Sequence, residues 1–216
     1  MTDETPTDET LTDETPLRLT DHELLALLSM DATPSAIMSR DIFRLAHVAG
    51  NELLEQAGIT TLLVRNLAEV SGEDIVPVDK GAIVAAVVSS ADEWLELALV
   101  TPTTDHVLFT AGSDKGSILL NLSRYGVHEV QPVDTASGML ALGVQLARHY
   151  LESGVEGYPA AAMIKRHRLS GAPVTAHLKV GEDKSWTLAT GEDGAEKTQM
   201  VDAADGLRRF EAALQF

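Results

Sequence analysis

The sequence predicts an α+β fold: two antiparallel β-meanders, each followed by a helix, in pseudo-twofold arrangement. An N-terminal helical segment precedes them and a short helical insert joins them. Three observations carry this expectation. Residues 106–143 fall on 174–211 at a constant offset of 68 without a gap. The identities are Ser117 with Ser185, Leu120 with Leu188, Gly126 with Gly194 and Gln131 with Gln199, then Val133, Asp134, Ala136 and Gly138 with Val201, Asp202, Ala204 and Gly206. The same offset aligns the turns, which are rich in glycine and acidic residues in both copies. Finally, the apolar period changes at Trp94, Leu95, Leu97 and Leu99, where helical spacing gives way to strands.

In chain order, the first segment is three copies of a five-residue unit, Thr2–Pro6, Thr7–Leu11 and Thr12–Pro16. Its six acids (Asp3, Glu4, Asp8, Glu9, Asp13, Glu14), without a base and with one large apolar residue, predict a disordered tail over 1–16. The remainder, 17–216, reads as one domain, with repeat one over about 92–152 and repeat two over about 158–216. Thr20 and Glu23 stand at capping-box spacing before Leu24, Leu27 and Leu28. A second helix is expected from Ser39 to Ala57, ended by Gly58. A third follows Asp79, with Ile83, Val84, Val87 and Val88 on one side.

Strands are expected at His106–Ala111, Ile118–Ser123 and Glu129–Val133, and again at Thr175–Val180, Trp186–Thr190 and Lys197–Val201. Tips at Gly112–Gly116 and Gly181–Lys184 connect the first two of each set, and turns at Tyr125–Gly126 and Glu192–Gly194 connect the last two. Asp134 and Asp202 are N-cap candidates for the two closing helices. Those helices would bury Met139, Leu142, Leu146 and Tyr150 in one copy, and Leu207, Phe210 and Leu214 in the other. Between the copies, Pro159–Met163 reads as a short helix with proline in its first turn. Lys165, Arg166 and Arg168 would then complement the dipole at its C-terminus.

Composition excludes several functions. With 33 acids against 16 bases the chain carries −17, the wrong sign for a duplex-binding surface. Without cysteine there is no disulfide, thiol nucleophile or Cys-ligated metal. No apolar run approaches the roughly 20 residues of a membrane span, and the N-terminus does not resemble a secretory signal. A soluble, cytoplasmic protein is expected, with no membrane insertion and no nucleic-acid partner.

Chemistry-bearing patterns are equally scarce. None of the seven histidines has a metal-ligand partner at helical spacing, so no metal or cofactor is expected. Gly112–Ser117 opens onto a strand rather than a helix, which removes a phosphate loop. The acidic turns lack the ligand order of a calcium loop, and no Gly-x-Ser-x-Gly elbow occurs. These absences lead to the expectation of a binding protein rather than an enzyme. The competing reading is a small-molecule or enzymatic site in the cleft between the repeats, drawing on His106, His128 and Arg124.

Several stretches carry a family resemblance. They are Leu19–Leu24, then Glu52–Ile59 followed by Ile83–Leu99, and at the end His167–Gly171, the strand opening at Trp186, and Val201–Leu207 entering a terminal helix. In pattern and order over roughly 18–216, the chain resembles the EspG family, cytosolic chaperones of actinobacterial type VII (ESX) secretion. That resemblance implies a quasi-twofold α+β fold, a chaperone role without catalysis, and a secreted helical partner of PE–PPE or WXG type. The family carries a helical bundle between its sheet repeats, whereas here only Ala147–Arg168 separates them. By the same resemblance, partner contacts are expected at the tip Ser113, Asp114 and Lys115 and at Lys165, Arg166 and Arg168.

Overall fold

The computed structural model describes residues 16–191 and 197–215. The expected tail, apart from Pro16, and the turn at 192–194 lie outside them. Four helices, α1 (Asp21–Ser29), α2 (Pro34–Ile42), α3 (Glu52–Val64) and α4 (Asp79–Ser90), follow a short first strand, β1 (Leu17–Thr20). A small hairpin, β2 (Ala68–Ser71) with β3 (Asp74–Pro77), is inserted before α4. The first repeat is β4 (Glu93–Val100), β5 (Asp105–Ser113), β6 (Gly116–Asn121), β7 (Val127–Pro132) and α5 (Met139–Ser153). The second is β8 (Ala160–Arg168), β9 (Val174–Val180), β10 (Trp186–Thr190), β11 (Lys197–Val201) and α6 (Ala203–Ala213).

Among the described residues nine strands form one antiparallel sheet in the order β1-β7-β6-β5-β4-β8-β9-β10-β11. Two cores lie on its opposite faces. On the front, α1, α2 and α4 cover the first repeat, burying Trp94, Phe109, Ala111, Ile118, Leu120 and Val130 beneath them. On the back, α5 lies over β4 and β8 and α6 over β9 and β10, burying Leu95, Leu97, Ala162, Ile164, Leu178 and Leu188. Alternation along each strand sends neighbours to opposite cores.

The repeats meet at the β4–β8 pair, whose register places Glu93 opposite Arg168 and Leu97 opposite Ile164. Each repeat therefore has four strands, one more than the sequence suggested. Register also shows that the ungapped offset conceals a slip. Equivalent neighbours match at offsets of 67 for β4 to β8, 68 for β5 to β9, 69 for β6 to β10 and 68 for β7 to β11. Leu120 faces front while Leu188 faces back, so this identical pair is not structurally equivalent; Leu119 is the counterpart of Leu188. A one-residue slip inverts every side chain in a strand.

Local chemistry explains where expectation and structure part. Thr20 and Glu23 do form the capping box: Glu23 N–H donates to Thr20 Oγ1 at 3.3 Å and Thr20 N–H to Glu23 Oε2 at 2.9 Å. The expected helix over 39–57 is instead two helices. Arg44 adopts φ +61° after α2, and Asn51 caps α3 by accepting from Leu54 N–H. Gly58 lies inside α3. A Cβ there would meet the His22 carbonyl oxygen at 2.0 Å, so this glycine permits α3 to touch α1 rather than ending a helix. In α4, Val84, Val87 and Val88 are buried but Ile83 is exposed.

The segment Pro159–Met163 is not a helix. Its alanines belong to β8, where Ala160 and Ala162 face back beneath α5 and hydrogen bonding to both β4 and β9 overrides their helix propensity. The basic residues that follow thus lie on a strand, with no helix terminus for them to complement. In α5 the buried set is Met139, Leu140, Val144, Ala147 and Leu151, with Leu146 and Tyr150 packed at its margin. Leu207 and Phe210 of α6 and Leu214 at its C-cap are all buried.

The two aspartates also separate. Asp202 caps α6, accepting from Asp205 N–H at 2.8 Å. Asp134 accepts from Ala136 N–H within the preceding loop, while α5 begins after Gly138 at φ +91°. Asp202→Ala should therefore lower the unfolding free energy by about 1 kcal/mol. Asp134→Ala should change it by no more than about 0.5 kcal/mol, as for an exposed site. Urea denaturation of both variants checks the difference.

A buried acid anchors the N-terminal helices. Glu23 accepts from Arg65 Nη1 at 2.8 Å, and Arg65 Nη2 donates to the Arg18 carbonyl. Burial pushes the Glu23 carboxyl up, but the Thr20 N–H and the Arg65 guanidinium outweigh it and hold it below the usual range. Its contribution to stability is thus complete above about pH 4.5, the ordinary glutamate value, and falls away as pH drops through the depressed folded value. Glu23→Gln should flatten the acid limb of the stability–pH curve, and equal limbs in the two proteins would refute this role.

Candidate functional site: an uncovered sheet face

Among the described residues, helical cover on the front ends at β4. Beyond it, the front faces of β8, β9, β10 and β11 carry Ala161, Met163, Lys165, His167, Thr175, His177, Lys179, Thr187, Ala189, Thr198 and Met200. The pseudo-symmetry shows what changed. The front positions Trp94, Phe109, Ala111, Ile118, Leu120 and Val130 of repeat one correspond to Ala161, His177, Lys179, Thr187, Ala189 and Thr198 of repeat two. Mostly large apolar side chains lie where helices cover the sheet; mostly small or polar ones, with Met163 and Met200 as the exceptions, lie where none do. This face is composed for water or for a polar partner, not for a missing helix.

Its electrostatics oppose the rest of the chain. Residues 158–216 hold eight bases and eight acids, so the entire −17 belongs to residues 1–157. The acid on the adjoining front face is Glu96, opposite Lys165 across the seam, and Arg44 pairs with it while lying over the Phe109 ring at 5.5 Å. His167 is half-buried, and its Nε2 makes no hydrogen bond. Burial pushes its imidazole down, the Lys165 charge adds to this, and Glu96 opposes.

The structure divides the expected contact residues. Lys165 faces front, on the open surface. Arg166 points back: it is 8% exposed, donates from Nε to Glu93 at 2.6 Å and from Nη1 to the Leu214 carbonyl at 2.9 Å. It ties the end of α6 to the seam, so the basic run is not one patch. Arg168 lies at the end of β8, opposite Glu93, which is itself opposite Gly112. The tip Ser113, Asp114 and Lys115 therefore sits at the same end of the sheet as Arg168, about two strand spacings away, or roughly 10 Å. The front-face residues His177, Lys179 and Thr187 were missed; locating β8 as a strand and following alternation outward from it would have found them.

The residues of the competing small-molecule reading do not converge. His106 Nε2 meets Glu156 at 2.9 Å, His128 Nε2 meets Asp21 at 2.6 Å, and Arg124 approaches Asp105 at 3.9 Å. The His128 ring is buried, with Nδ1 accepting from Ser123 N–H and Nε2 donating to Asp21, which pins α1 to the β6–β7 turn. Hydrogen bonds from Thr104, His106 and Tyr150 hold the Glu156 carboxyl low and tie the loop after α5 to the β4–β5 hairpin. Among the described residues no group of three or more histidines and acids could hold a metal ion, and no helix is long and apolar enough to cross a membrane. A groove of about 460 Å³ between α1, β3 and α4 is lined chiefly by apolar side chains such as Leu27, Met30 and Ile75, with Asp31, Asp74 and Ser89 as its polar members, and contains none of His106, His128 and Arg124.

No family model and no curated protein matches the chain. Among solved structures, its fold is similar to that of the Mycobacterium tuberculosis type VII secretion system chaperone EspG5 in complex with a PE25–PPE41 dimer. The TM-score is 0.52 at 12% sequence identity, covering 94% of this chain and 98% of that one. The chain shares an EspG-like α+β fold.

Proposed function

We propose that this protein is a chaperone of a type VII secretion system, holding a secreted helical protein of PE–PPE or WXG type soluble in the cytoplasm without catalysing a reaction. The fold it shares with EspG5, a chaperone whose structure is in complex with a PE25–PPE41 dimer, supports this reading. The observation that carries it in this chain is the uncovered front face of repeat two. Its four-strand width offers broad contact, and its mostly small and polar side chains leave the face stable without a partner. Lys165 and Lys179 on the face, with Lys115 at the tip near its end, would steer an acidic partner and set its orientation. Arg166 belongs to the core and not to the partner surface.

The test is co-expression with secreted helical proteins encoded beside it, followed by titration of the purified complex at two salt concentrations. A stoichiometric complex is expected, weakened several-fold at low salt by Lys165→Glu with Lys179→Glu. Such a complex left unaffected by the double reversal would remove this face from the site. Failure to recover any complex would count against the chaperone reading itself.

A further inference from the structure

We infer that the acidic segment 1–15 docks on the uncovered front face of repeat two in the same chain. Charge is the first ground. The segment carries six acids and no base, and among the described residues the face offers Lys165 and Lys179 beside a single acid, Glu96, already held by Arg44. The front of repeat one is covered by helices, and the back of β6, β7 and β1, where Glu129 is held by Arg18, carries no lysine.

Topology is the second ground. Leu17 pairs with Val130 and Thr20 with Val127, while Ile118 pairs with Pro132. The chain therefore enters β1 at the end of the sheet that holds the Ser113–Lys115 tip and Arg168, and Lys165 and His167 lie near that end of β8. Five strand spacings separate β1 from β8, about 24 Å. Fifteen residues span up to about 50 Å extended, and about 20 Å root-mean-square as a random coil. The segment reaches the face without strain, and tethering presents it at an effective concentration on the order of millimolar. Each exposed ion pair adds little, so docking of this kind is reversible and salt-sensitive. An acidic partner arriving at the face must displace it. The inference needs only the charges and the geometry, and it stands whether or not the partner is a secreted protein.

The chain has no cysteine, so Thr7→Cys in the full-length protein accepts a single nitroxide label. At about 50 mM salt, paramagnetic broadening is expected at the amides of 163–167 and 175–179. It should vanish at 1 M salt, where the Debye length falls to about 3 Å. It should vanish also when all six acids are changed to their amides (D3N, E4Q, D8N, E9Q, D13N, E14Q), and with Lys165→Ala plus Lys179→Ala. Broadening confined to β1 and β7 would overturn the inference, as would broadening that ignores salt and charge. So would broadening seen only when the label sits on a second chain, which would assign the contact to another copy.

Discussion

Arg166→Met should cost about 3–5 kcal/mol of unfolding free energy, the scale for breaking a buried ion pair by removing one partner. Glu93, whose side chain is 22% exposed, would keep its charge at the seam without the guanidinium that now balances it. The Leu214 carbonyl at the end of α6 would lose its donor as well. Lys165→Met, one residue away on the other face, should leave the denaturation midpoint nearly unchanged. The pair of variants thus separates a core cation from a surface one, and chemical denaturation of both decides it. Equal, small effects would mean that the seam does not depend on this ion pair.

Trp94→Ala should be comparably severe, about 3–5 kcal/mol, as for other fully buried aromatic truncations. Trp94 is wholly buried where β4 meets α2 and α4. Its indole N–H donates to Ser39 Oγ at 2.9 Å, and that hydroxyl donates to the Val88 carbonyl at 2.8 Å. One side chain therefore joins the sheet to two helices through both packing and a buried hydrogen-bond chain. Trp94→Phe should recover most of the packing while leaving the Ser39 hydroxyl without its donor, a net loss of about 1–3 kcal/mol. Thermal and urea denaturation of the two variants would show whether packing or the hydroxyl chain dominates.

The strands of both meanders were legible because their turns announce them: glycine and acidic residues at the tips bracket runs of alternating polarity. The capping box at Thr20 and the cap at Asp202 were legible for the same reason, since their partners lie three residues away. What escaped depends on contacts far along the chain. Nothing near Gly58 reports that α1 will pass within touching distance, and nothing near Ala160–Ala162 reports that two strands will flank them. Asp134 looked like Asp202 because repeated sequence implies repeated geometry, yet a few loop residues sufficed to move the start of α5. The offset of 68 showed that a repeat exists, but its facing depended on a one-residue slip in β6 and β10 that only register reveals. The site suffered most: Lys165, Arg166 and Arg168 are one run in sequence, and a strand deals them to opposite faces.

The seam has a consequence for how the molecule assembles. Within each repeat every strand pairs with its sequence neighbour across a short turn, so both meanders can form from local contacts. Among the described strand pairs only β4–β8 joins the two, and closing it brings together residues that the intervening meander and α5 hold apart in the chain, so its loop entropy falls due late. Until then β4 and β8 are bare edges that match each other. At high protein concentration the β4 edge of one molecule can find the β8 edge of a second. The product would be a reciprocally exchanged dimer, with each half-sheet completed by its neighbour's repeat.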